Sequence, residues 1–179
     1  MDRARIMPSG RERMFSANEL IVSKTDPKGR LTYVNDVFLT VSGYTESELI
    51  GQPHSLIRHP EMPRSVFKLL WDTISAGKEL FAYVNNMAKS GDNYWVFAHV
   101  TPSFDENHQI IGYHSNRRVP EKLALDKIKP LYAQLLAEEA RHGDRKAGLD
   151  SSWAMLNRAV ADAGYDSYAR FVFAITPNV

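Results

Sequence analysis

Apolar and polar positions alternate along "ELIVSKTD" and again along "RLTYVN", with "PKG" between them. This period, carried by β-branched and aromatic residues on both sides of a Pro and Gly pair, predicts two antiparallel strands joined as a hairpin. The period then changes. "NDVFLTVSGY" predicts a short helix with Asn35 as N-cap and a stop near Gly43. "TESEL" predicts another, with Thr45 and Glu48 at capping-box spacing. An irregular connection, "GQPHSLIRHPEMP", leads into "PRSVFKLLWDTISAG", where Pro63 suits the first helical turn and Gly77 the stop. Phe67, Leu70, Trp71 and Ile74 share one face of that helix, so it packs on something. Three strand-like runs follow, "LFAYVNNMA", "NYWVFAHVTPSF" and "QIIGYHSNRRV", joined by the turn-forming "KSGD" and "DENH".

Two strands, short helices and three more strands describe an α+β domain: a five-stranded antiparallel sheet with short helices on one face. The first and last strands of such a domain must meet in the sheet. Beyond Pro120 the pattern is helical. "EKLALDKIKPLYAQLLAEEA" predicts an amphipathic helix interrupted by Pro130, "RHGDRKAG" a polar break, "LDSSWAMLNRAVADAG" a second helix, and "YDSYARFVFAI" an apolar tail. Residues 1–18 are polar, carry Pro8 and Gly10, and predict a loose leader or short capping helix. The expected organisation is thus a leader over 1–18, a single domain over 19–120, and a helical C-terminal extension over 121–179.

Composition narrows the function classes. Twenty-two Lys and Arg stand against 21 Asp and Glu with no basic stripe, which argues against a nucleic-acid partner. The chain has no cysteine, so thiolate metal sites, c-type haem attachment and cysteine nucleophiles are excluded together. Its longest apolar runs, such as "FVFAI", are far below a bilayer span, and residues 1–19 build no secretory segment, so a soluble, cytoplasmic protein without membrane insertion is expected. HExxH, G-x-S-x-G and Walker sequences are absent. The expected protein is not an enzyme.

One stretch resists a periodic explanation. In "RHPEMP" an Arg and a His sit in a loop pinned by two prolines. "VNDVFLTVSGYTESELIGQPHSLIRHPEMPRSVFKLLWDTISAGK", with "KSGDNYWVFAHVTPSF" and "IIGYHSNRR", resembles a PAS sensor domain, and the combination of "SGYT", "GQPH" and "RHPxMP" resembles the flavin-binding PAS domain of bacterial aerotaxis and energy-taxis receptors. The resemblance covers roughly 19–120. It implies the PAS fold, a cup between sheet and short helices, non-covalently bound FAD, and the reporting of redox, oxygen or energy state. It further implies a stand-alone PAS protein that signals by contact with a partner such as a methyl-accepting receptor or a kinase, with a homodimer as a further arrangement.

Flavin binding needs flat apolar walls, amides for a polar ring edge and cations near the mouth. Trp71 and Trp95 are candidate walls, Asn85 and Asn86 candidate amides, and Arg58 and His59 candidates for a phosphate-bearing mouth. Asn35 and Glu61 complete the expected cofactor-binding set, although each also has a helix-start reading. The chain departs from the family's usual pattern at Leu80, at "NNMAK" and at Glu61. Two alternatives stay open: a haem-b gas sensor, with His59 as the first candidate iron ligand and His54 the second, and a cofactor-free PAS module for dimerisation or interaction. No other metal site is expected.

Overall fold

The hairpin turn is held by one carboxylate. Asp26 Oδ1 accepts the backbone N–H groups of Lys28 at 2.8 Å and Arg30 at 2.9 Å, and Gly29 takes a φ of 76°. This turn joins β1 (Ile21–Thr25) to β2 (Leu31–Val34). The structure, a computed structural model, describes residues 6–177. α1 (Asp36–Ser42) starts at Asn35, whose side chain accepts from Phe38 N at 3.0 Å, and stops at Gly43, φ 72°. α2 (Glu46–Leu49) opens on the Thr45 and Glu48 capping box. A single 3-10 turn, His54–Ile57, precedes α3 (Arg64–Ser75). The meander is β3 (Leu80–Met87), β4 (Asn93–Phe104) and β5 (Ile110–Arg118).

The sheet order is β2-β1-β5-β4-β3 and every pairing is antiparallel. The chain's first and last strands therefore sit side by side at its centre: Ser23 lies opposite Val34 on one flank and Ser115 on the other. Strand alternation sorts side chains between two faces. Ser23, Asn86, Ala98, Val100, Tyr113, Ser115 and Arg117 look toward α3 and the 3-10 turn. Tyr83, Asn85, Trp95 and Phe97 look the other way.

The C-terminal segment covers that other face. α4 (Lys122–Ala140) runs unbroken through Pro130, where an interruption was expected. Pro130 and Asp126, whose carbonyl loses its helical donor there, are both exposed, while Ile128, Tyr132 and Leu135 are buried on the sheet side. Packing thus outweighs the cost of the proline. α5 (Arg145–Asp162) begins inside the expected polar break because Asp144 accepts from Ala147 N at 2.7 Å. The expected apolar tail is a helix, α6 (Tyr168–Ile175), with Ser167 as N-cap.

Tyr132 Oη donates to the carbonyl of Tyr83 at 2.9 Å and contacts Tyr168 Oη at 2.7 Å, while Tyr83 Oη meets Thr176 Oγ1 at 2.7 Å. α5 then reaches α3 through Ser152 and Ser65, whose hydroxyls are 2.7 Å apart. At the other end of the chain, residues 9–13 form no helix. They bend at Gly10 and run along the β3–β4 turn, where Arg13 N donates to Asn93 O at 2.7 Å and its guanidinium to Val41 O at 2.8 Å. The first five residues of the expected leader lie outside the described residues.

Candidate functional site

The inner face of the sheet, the 3-10 turn and α3 enclose a cavity of about 210 Å³. One wall is the apolar face of α3, Phe67, Leu70, Trp71 and Ile74, as the helical period anticipates. Trp71 stands edge-on to Tyr113 at 5.7 Å and rests over the hairpin turn; a Cβ at Gly29 would come within 2.8 Å of its indole. Only glycine satisfies both that approach and the left-handed backbone.

The proline-bounded loop closes the cavity along the free edge of β3. Arg58 bridges antiparallel to Asn86, and His59 N donates to Asn85 O at 3.4 Å. The Arg58 guanidinium lies 3.9 Å from the Phe67 ring centroid and donates to Met62 O at 3.1 Å, so it is fixed between loop and helix at the cavity's edge. Burial lowers its pKa.

The expected site residues divide into two groups. Arg58, Trp71 and Asn86 line the cavity. Asn35, His59, Glu61, Asn85 and Trp95 do not line it. Asn35 spends both ends of its amide on backbone, accepting from Val22 N and Phe38 N and donating to Leu20 O. His59 is buried, and its Nδ1 accepts from Glu61 N at 3.2 Å, which ties the loop to itself. The Glu61 side chain is exposed. Asn85 and Trp95 pair across β3 and β4 on the opposite face; Asn85 accepts from Asn93 at 3.2 Å, and Trp95 packs 6.1 Å from Tyr132 beneath Lys129.

The floor is polar. Arg117 is buried and donates from Nη2 to Ser23 Oγ at 2.7 Å and to His54 Nε2. A guanidinium only donates, so Nε2 is the unprotonated nitrogen of a neutral imidazole. Burial, then the charge of Arg117, pushes the His54 pKa down to about 3. Among the described residues, three buried side-chain polar atoms have no hydrogen-bond partner: Asn86 Nδ2, Ser115 Oγ and Arg117 Nη1. All three residues line this cavity. Buried polar groups are nearly always satisfied, so the unsatisfied ones among the described residues are gathered in the residues of this one cavity wall.

Arg117, Ser115 and Ser23 were not anticipated as site residues. The signal was present: Tyr113, Ser115 and Arg117 fall at period two in "YHSNR", which puts an arginine in the inward-facing series. A second hollow, about 340 Å³, lies on the outer face between Phe81, His99, Arg118 and the 119–121 link. None of its lining atoms is a buried orphan among the described residues.

Residues 31–117 match the family model described as the PAS fold. The chain is 41% identical over 117 residues to the aerotaxis receptor of Escherichia coli (strain K12), a stretch that is 65% of this chain and 23% of that receptor. It is 25% identical over 105 residues to a nitrogen fixation regulatory protein of Klebsiella pneumoniae, covering 59% of this chain and 21% of that protein. The dark structure of the blue-light photoreceptor Aureochrome1 LOV superposes with a TM-score of 0.52 at 25% identity, covering 68% of this chain and 84% of that one. The chain spans less than a quarter of either curated relative. No helix among the described residues is long and apolar enough to cross a membrane. With its five-stranded order, its inner cup and these likenesses, this chain carries over residues 31–117 a PAS sensor domain that resembles the aerotaxis receptor in sequence.

Proposed function

We propose that this protein is a cytoplasmic redox, oxygen or energy sensor that binds FAD non-covalently and reports its state to a separate signalling partner, such as a chemotaxis receptor. The observation that carries the reading is that Asn86, Ser115 and Arg117, each with a buried polar atom lacking a partner, all line a cavity walled by Trp71 and Phe67. An isoalloxazine has this profile, an apolar plane with a rim of carbonyl and imine acceptors. The ring system would occupy this cavity. The remainder of FAD would leave past Lys28 and Arg58, cations placed to meet its phosphates. When bound, flavin supplies reversible electron uptake; the chain's residues orient it, exclude water and sense the charge.

The haem alternative is less favoured. His59 does not line the cavity, and the free nitrogen of His54 is engaged by Arg117 and Ser23. The likeness to an aerotaxis receptor supports flavin and a signalling role over catalysis. The test is the visible spectrum of the purified protein, with mass analysis of any released cofactor. FAD at one equivalent is expected, and Arg58→Ala should lower that occupancy while circular dichroism stays unchanged. A haem spectrum, or failure of the apoprotein to take up added FAD, overturns the reading.

A further inference from the structure

Arg117 is a buried cation with no negative group against it among the described residues. Its side chain is held by Ser23 and His54 and lies 5.5 Å from the Phe38 ring centroid, Nη1 is buried without a partner, and the residue lines the cavity. The titratable groups that face it are His54 from the 3-10 turn and Tyr94 from β4. Burial and Arg117 keep the imidazole neutral, and burial raises the Tyr94 pKa, so neither supplies a negative charge. The other charged groups of the cavity wall, Lys28 and Arg58, are also cations. No Asp or Glu lines the cavity, and Arg117 has no ion pair, among the described residues.

An uncompensated buried charge is costly, and a ligand carrying the opposite sign relieves that cost. The same inventory bears on protons. The imidazole stays neutral down to about pH 3 and burial raises the Tyr113 pKa, so among the described residues of the cavity wall only cations bear on the ring's proton affinity.

We infer that Arg117 holds negative charge on the ligand's ring, so that flavin reduced in this cavity takes up two electrons but only one proton, and the negative charge left on the ring is neutralised by the guanidinium. The inference rests on the flavin reading. The electrons come from an external reductant, dithionite in the test below; the proton comes from solvent, and no bond to the protein forms or breaks. Arg117 is in this sense the residue that sets the cofactor's potential, raising it by stabilising the reduced, charged form relative to the oxidised, neutral one.

The experiment is a potentiometric titration of the FAD-loaded protein with dithionite and mediators over a range of pH, with free FAD in the same buffer as reference. The slope of midpoint potential against pH counts protons per electron pair. Free FAD changes from two protons to one at a pH the reference curve shows. Bound to the wild-type protein, that change should fall about one pH unit or more lower, a tenfold or greater shift in the ring's proton affinity.

Arg117→Gln should return the change to the free-FAD value or above and lower the potential, and Arg117→Lys should retain most of the wild-type shift. A wild-type curve that coincides with free FAD, or one that Arg117→Gln leaves unmoved, overturns the inference. Should Arg117→Gln not fold, the wild-type and Arg117→Lys curves decide it alone. Wild-type protein that takes up no FAD fails before any potential is measured, and that outcome sinks the flavin reading itself.

Discussion

The clamp between the cavity and the C-terminal helices rests on one carboxylate. α3 starts at Pro63, which has no side chain to cap it, and Glu139 of α4 supplies the missing acceptor: Oε1 takes Ser65 N at 3.1 Å and Oε2 takes Arg64 Nε at 2.9 Å. The perturbation is Glu139→Ala. Ser65 is fully buried, so its N–H would be left without water or partner, at about 1–3 kcal/mol. The Arg64 side chain is 24% exposed and recovers part of its loss by solvation, so the full 3–5 kcal/mol of a broken buried pair does not apply.

The sum is about 2–4 kcal/mol of global stability. Glu139→Gln keeps an acceptor for Ser65 and should cost about half as much. Urea unfolding followed by circular dichroism measures both, with unchanged m-values as the control for two-state behaviour. Native-state hydrogen exchange should show the loss first at the amides of Ser65 to Phe67. An alanine variant within about 0.5 kcal/mol of wild type, or a glutamine variant as damaging as alanine, refutes the reasoning.

Three further outcomes follow from the same geometry. His54 has a folded pKa of about 3 against 6.5 for the free group, so the unfolded state binds more protons between those values and wild-type stability falls as pH drops through that window; His54→Gln, which cannot protonate, should lose less over the same range, and parallel pH profiles in urea melts would contradict this. Gly29→Ala combines a φ of 76° with a Cβ placed 2.8 Å from the Trp71 indole, so it should cost about 1–2 kcal/mol and weaken FAD binding together; a stability loss with unaltered affinity would detach Trp71 from the site. If the clamp through Glu139 and Ser152 carries the signal, hydrogen exchange over α4 to α6 should differ between oxidised and reduced samples, and identical protection from 119 to 173 in both states argues against transmission along this route.

Local chemistry made most of the fold legible. Asn35, Gly43, the Thr45 and Glu48 box and the turn around Gly29 each act within a few residues, so their signals sit next to the structure they make. Pro130 misled because its cost is local while its compensation, the burial of Tyr132 and Leu135 on a distant sheet, is not. Period two placed Trp95 and Tyr94 on opposite faces but could not say which face is the cup. That depends on α4 covering the outer side, where Trp95 meets Tyr132 and Lys129.

The same ambiguity separates Asn85 from Asn86. A strand arginine reads as solvent-facing from sequence, and Arg117 is enclosed by Ser23 and His54, which lie 94 and 63 positions away in the chain. The loop "RHPEMP" did announce itself. It delivers Arg58 to the cavity edge and uses His59 to fasten its own turn.

The proposed function places the flavin ring in the inner cavity. Side-chain NMR of the apoprotein titrated with FAD reads this directly, through the amide of Asn86 and the guanidinium of Arg117 as inner-cavity reporters and through His99 and Arg118 as reporters of the outer hollow. Saturable shifts at Asn86 and Arg117, with His99 and Arg118 unmoved, are the predicted result; shifts confined to the outer pair, or none at Asn86 and Arg117 at saturating FAD, would contradict it.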